Sequence, residues 1–215
     1  MRTNGHPARE GVQHLRRADP VLAEIIGRVG AYGLSPRRHR DHFGTLARAI
    51  VFQQLSGKAA ETIHGRYLAL FPTPRPAPHH VLAVPDTALR GAGLSGAKVL
   101  AVRDLAAAAT DGRLTLPLPP RLSDEEIVER LTRVRGIGPW TAHMFLMFHL
   151  GRPDVLPVGD LGLRTAVRRA YRVRGEPTPA RLEKIAAPWR PWRSVATWYL
   201  WRSLETPGTN PAAGN

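Results

Sequence analysis

No cysteine occurs among the 215 residues, which excludes disulfides, thiolate zinc sites and iron–sulfur clusters. Lysine is almost absent: Lys58, Lys98 and Lys184 are the only ones, although Lys and Arg together number 31. Acidic side chains are scarce as well, 17 in all, so the formal net charge is +14. No apolar run approaches the ~20 residues that span a bilayer, and MRTNGHPAREGVQHLRRADP at the N-terminus lacks the apolar centre of a signal peptide. A cytoplasmic protein that avoids membranes is expected. No stretch sustains the alternation of a strand, and no repeat is visible.

What the chain has instead is arginine. A GC-rich genome accounts for the ratio of Arg to Lys but not for the surplus of positive over negative charge. Guanidinium groups suit planar, bidentate contacts to phosphate, so nucleic acid is the expected partner, ahead of an anionic membrane. The length suffices for one good core or for two small lobes sharing a cleft.

Helical signals follow one another along the chain. Residues 1–18 are polar and rich in Gly and Arg, and a flexible tail is expected there. Asp19-Pro20 reads as a cap and first turn, followed by Leu22, Ile25, Ile26 and Val29 on one face. Helices are expected at about 40–54 and 57–70, two short ones around 80–91, then one from Ser95 to about 109. Ser123-Asp124-Glu125-Glu126 has the capping-box pattern and opens a helix. Gly136-Ile137-Gly138 turns the chain, and Pro139 suits the first position of a helix to about 150. Helices near 160–172, 179–187 and 191–204 precede a second flexible tail, 207–215. The expected class is all-α, two helical lobes with a cleft between them: lobe one about 38–152, lobe two about 19–37 with 153–206, and a helix-hairpin-helix motif at about 124–150.

A tight Gly-x-Gly turn between two helices leaves backbone amides uncovered, as a phosphate needs, and reads no sequence. Gly136, Ile137, Gly138 and Thr141 are the candidate phosphate-binding residues. Together with Leu131, Val134, Pro139-Trp140-Thr141-Ala142 and the Val158-Gly159-Asp160-Leu161-Gly162 loop, the segment resembles the helix-hairpin-helix DNA glycosylases. The similarity extends over most of residues 20–205. It takes in Ile50-Val51-Phe52-Gln53-Gln54-Leu55-Ser56, Gly93 to Lys98, and Pro191-Trp192-Arg193-Ser194 leading into Trp198-Tyr199-Leu200-Trp201. The branch it most resembles is DNA-3-methyladenine glycosylase II, often preceded by a β-rich domain for which this chain has no room; a compact all-helical form is expected.

That resemblance implies double-stranded DNA containing damaged bases as partner, no cofactor, a monomer, and work at the bacterial nucleoid. It implies Asp160 as the catalytic carboxylate, stabilising an oxocarbenium-like sugar and activating water. At a helix start the Asp160 carboxylate would meet amide donors and the positive end of the helix dipole. Asp154 is the competing acid, six residues earlier in a turn. The resemblance also implies Leu55 as a wedge beside Gln54 and Gln53, which would bond the orphaned base; the alternative is a core leucine with two capping glutamines. Trp140, Trp201 and Met144 are the candidate base pocket, since indole faces stack against a cationic purine. Trp189, Trp192 and Trp198 are expected in packing. Trp140 stands where bifunctional relatives carry a lysine, so strand cleavage is not expected. Arg164 could pair with Asp160, hold a phosphate or sit in solvent, and His143 and His149 read as packing or phosphate-facing. A structural Na⁺ or K⁺ could bind the carbonyls of Thr132, Val134 and Ile137. Excision of another base, uracil or a deaminated or oxidised purine, stays open, as does a non-catalytic DNA-binding module.

Overall fold

The structure is a computed structural model, and it describes residues 6–36 and 41–205. Among these residues every regular element is helical, and no helix is long and apolar enough to cross a membrane. The chain divides into two compact units, Arg37–His149, and Met1–Pro36 together with Leu150–Asn215.

In the Arg37–His149 unit, α3 (His42–Phe52), α4 (Gly57–Leu68), α5 (Pro78–Ala83), α6 (Asp86–Gly91) and α7 (Gly96–Thr110) precede the hairpin pair α8 (Asp124–Thr132) and α9 (Pro139–Met144). Helix α7 is central, packing on α3, α5 and α6, because Val99, Val102, Leu105 and Ala106 along it are all buried. The capping box at α8 forms: Ser123 Oγ accepts the Glu126 amide, and Glu126 accepts the Ser123 amide at 2.7 Å. Helix α9 does not continue to residue 150 as an α-helix. Phe145–Leu150 widen into a π-helical turn, which sets Phe145 and His149 ring on ring, 4.7 Å between centroids.

The other unit contains α1 (His6–Ala18), α2 (Pro20–Val29), α10 (Leu161–Ala170), α11 (Pro179–Ala186), a 3₁₀ turn Ala187–Trp189, and α12 (Arg193–Glu205). Asp19 caps α2 through its Oδ1, which accepts the amides of Val21 and Leu22. The loose tail expected over residues 1–18 is corrected from His6 onward. Helix α1 buries Leu15 in the unit's core and lays Gly11 so close to Trp192 that a Cβ there would come within 2.9 Å of the indole. The apolar face that directs this is short (Val12 and Leu15 among polar residues), and it docks on the neighbouring α2 and on the distant 3₁₀ turn and α12. Residues 1–5 and the tail expected at 207–215 lie outside the described residues. Trp189 is fully buried, and Trp192 and Trp198 lie against the same core.

Candidate active site

The hairpin is built by three neighbours. Gly136 has φ +79, a left-handed conformation, and a Cβ on it would approach the Cβ of Ala101 in α7 to 2.7 Å. One turn along α7, Asp104 accepts the Arg135 amide at 2.8 Å. From the end of α3, Gln53 Nε2 donates to the Gly136 carbonyl at 2.9 Å and to Thr141 Oγ1 at 3.3 Å. Gly138, by contrast, caps α9 with an ordinary φ of −92, and a Cβ there would meet nothing within 4 Å. The two glycines therefore have different reasons for being bare. Gly136→Ala should destabilise the chain by about 1–3 kcal/mol through strain and overpacking, read as a lowered thermal midpoint. Gly138→Ala should keep the fold and, if the hairpin approaches a phosphate there, weaken binding to all duplexes alike. A Gly138→Ala variant whose loss is confined to one lesion would contradict a phosphate grip.

Gln53 braces the loop through its amide nitrogen, which is committed to the hairpin. Thr141 is committed in the same way, because its side chain is buried and its hydroxyl takes that Gln53 N–H; only its backbone can serve a phosphate. The Ile137 side chain is likewise buried. Gln54 adopts φ +55, rare for a residue with a side chain, and turns Leu55 outward to 36 % exposure. Lys98 holds this bend, its Nζ donating to the carbonyls of Val51 (2.7 Å) and Gln53 (2.8 Å). Burial pushes the Lys98 ammonium below its ordinary value.

Trp140 is 48 % exposed, and Met144, one turn on, is half-buried. His149 is buried, with Nδ1 3.2 Å from Thr45 Oγ1. That hydroxyl gives its own proton to the Asp41 carbonyl, so His149 supplies the hydrogen. His149 is thus a packing residue. Burial lowers the His143 pKa.

On the other unit, Asp160 caps α10. Its Oδ1 accepts the Leu163 amide at 2.6 Å and the Trp201 indole N–H at 2.7 Å, and the residue is 9 % exposed. Its backbone is held by Asp160 N to the Pro157 carbonyl, 2.8 Å. Asp154 is otherwise engaged: Arg193 Nε reaches its Oδ1 at 2.7 Å, and Arg190 Nη1 its Oδ2 at 2.9 Å. Of the two acids, Asp154 is the anchor of the loop. The Arg164 guanidinium pairs with Glu176 at 2.7 Å and donates to the Pro177 carbonyl; its link to Asp160 is the backbone N–H to the Asp160 carbonyl, 3.0 Å.

The family model for HhH-GPD superfamily base excision DNA repair proteins matches residues 47–191, a span that holds both the braced Gly-x-Gly hairpin and the capped, indole-bonded Asp160. The chain belongs to this superfamily. It is 34 % identical over 192 residues to DNA-3-methyladenine glycosylase 1 of Schizosaccharomyces pombe, covering 85 % of this chain and 82 % of that protein. Among solved structures, the 3-methyladenine DNA glycosylase of S. pombe in complex with abasic DNA superposes with a TM-score of 0.78 at 32 % identity, covering 90 % of this chain and 95 % of that one. The DNA-3-methyladenine glycosidase of Bacillus halodurans gives 0.79 at 34 % identity, covering 96 % and 98 %.

Within this superfamily member, Asp104 and the Gln53–Thr141 contact are what reading the sequence missed. Asp104 carried no signal beyond an acid on a helix. Lys98 could have been singled out as one of three lysines in an arginine-rich chain.

Proposed function

We propose that this chain is a monofunctional DNA glycosylase of base excision repair, which flips alkylated purines of the 3-methyladenine type out of duplex DNA and excises them with water. The carrying observation is Asp160, a carboxylate whose Oδ1 is held from two directions, in a chain 34 % identical to a protein named 3-methyladenine glycosylase. In the reaction the C1′–N bond breaks and its electron pair leaves with the base. A water oxygen bonds C1′, and the water's proton passes to the carboxylate or to solvent. Asp160 stabilises the positive charge that develops on the sugar and steers that water.

Three features support water over an amine nucleophile. Trp140 occupies the position after the hairpin where a lysine would attack. Lys98 is committed to two carbonyls, and Lys58 and Lys184 lie on α4 and α11. The cationic purine is already a good leaving group and needs an electron-rich surface more than an acid. We assign its recognition to Trp140, Trp201 and Met144, with cation–π contacts of about 0.5–2 kcal/mol. Leu55 at its exposed bend is the wedge, Gln54 beside it reaches the orphaned base, and Gln53 ties that loop to the hairpin. Backbone amides at Gly136–Gly138 and the start of α9 take a phosphate. A monovalent cation at the hairpin would use the carbonyls of Thr132, Val134 and Ile137, of which Val134 O also accepts the Ile137 amide at 3.1 Å, leaving it one lone pair for an ion.

Damaged duplex DNA is the partner in this reading, one copy of the chain suffices, and in a bacterial cell the work lies at the nucleoid. Incubation with methylated duplex should release free methylpurine and leave an abasic, uncut strand. Release of uracil from a uracil duplex with none from methylated DNA would overturn the substrate assignment. Strand breaks without heat or alkali would overturn the monofunctional one.

A further inference from the structure

Gly162 is a glycine without a conformational reason. It lies in the first turn of α10 and is not among the residues with positive φ, so alanine would suit the helix better. What surrounds it is informative. A Cβ at 162 would stand 3.2 Å from Asp160 Oδ1, 3.2 Å from Trp201 Cδ1 and 3.3 Å from Trp201 Nε1. It would press on both ends of the hydrogen bond from Trp201 Nε1 to Asp160 Oδ1.

We propose that Trp201 and Gly162 are positioning residues for Asp160: the indole N–H fixes the carboxylate, and the missing side chain at 162 keeps open the gap through which it does so. This rests on the glycosylase reading of Asp160. A helix cap alone restrains a carboxylate from one side, and its plane can still turn. A second donor arriving from α12 fixes the plane. Indole nitrogen can only donate, so the contact holds Asp160 as an acceptor. Preorganised charge loses its effect when it is misaimed by even about half an ångström.

Two variants separate positioning from stacking. Trp201→Phe keeps an aromatic ring and removes the donor; Gly162→Ala keeps the indole and presses on the contact. In ¹H–¹⁵N spectra of the full chain, the Trp201 indole signal is the one of five lost in Trp201→Phe. It should shift in Asp160→Asn, where a neutral acceptor replaces a charged one, and in Gly162→Ala. Under single turnover with methylated duplex, each of Trp201→Phe and Gly162→Ala should release base about ten-fold more slowly or worse, with duplex affinity within about two-fold of wild type. The double variant should be no slower than the worse single one, since both act on one contact. A wild-type rate in Gly162→Ala, an indole signal indifferent to Asp160→Asn, or losses that multiply in the double variant would each overturn the proposal. A wild-type chain that releases no base, while its indole signal still answers to Asp160→Asn and Gly162→Ala, would refute the glycosylase reading and leave the contact standing.

Discussion

Asp160→Asn should lower base release from methylated duplex by about 10²–10³-fold, the scale set by removing one preorganised charge-stabilising group, while duplex binding stays equal or tightens. The substitution is well suited to the question because asparagine keeps an oxygen where Oδ1 accepts the Leu163 amide and the Trp201 indole. The cap of α10 and the fold should survive. What disappears is the negative charge, which is what a developing oxocarbenium ion needs and what a phosphate backbone repels. Single-turnover release of methylpurine and fluorescence anisotropy on the same duplex measure the two quantities separately. A variant that binds and releases base as wild type does would leave a non-catalytic DNA-binding module as the better description. One that has lost binding as well would place Asp160 in the fold rather than in the chemistry.

The pattern of what could be read from sequence follows the range of the interactions. Caps were visible because they act over two or three residues: Asp19 before Pro20, Ser123 before Glu126 and Asp160 before Leu163 all accept the amides that their residue type predicts. Sequence position and resemblance favour Asp160 over Asp154, and what the sequence does not show is that two arginines occupy Asp154. What stayed hidden depends on long-range docking. Trp201 reaches Asp160 across 41 positions, and Gln53 reaches the hairpin across 83. No local pattern could have shown that Gln53 and Thr141 satisfy one another. The π-helical turn after Met144 was hidden too, because its apolar residues also suit a continuous α-helix.

Helix α1 shows the converse error. Its arginines and glycine read as a tail, yet Gly11 is bare because Trp192 lies against it, and Leu15 is buried. A glycine taken as a sign of looseness marks a close approach instead.

The largest effect on stability should come from Asp19, in the core of the unit that carries Asp160. Its carboxylate is buried, 6 % exposed, and receives four donors. Oδ1 takes the amides of Val21 and Leu22, and Oδ2 takes the Tyr171 hydroxyl at 2.7 Å and the Trp189 indole at 2.8 Å. The cap, the last turn of α10 and the turn before α12 thus meet on one side chain. Burial and the adjacent carboxylate push the Tyr171 phenol well above its ordinary pKa, so it remains a donor throughout the working pH range. In Asp19→Ala the helix loses its cap, worth about 1 kcal/mol, and two buried donors lose their acceptor at about 1–3 kcal/mol each. A loss near 4 kcal/mol should lower the melting midpoint by about 8–16 °C for a chain of this size. Asp19→Asn should fall between Asp19→Ala and wild type. Its amide oxygen can keep the cap and the Tyr171 hydroxyl can turn to accept from its NH₂, but the Trp189 N–H then faces another donor and cannot reverse its role. Tyr171→Phe should cost least, since Trp189 keeps its acceptor. Thermal unfolding of the three variants tests the order. A midpoint in Asp19→Ala within about 2 °C of wild type would show that the four contacts contribute little and that α1 and α2 are held by apolar burial alone.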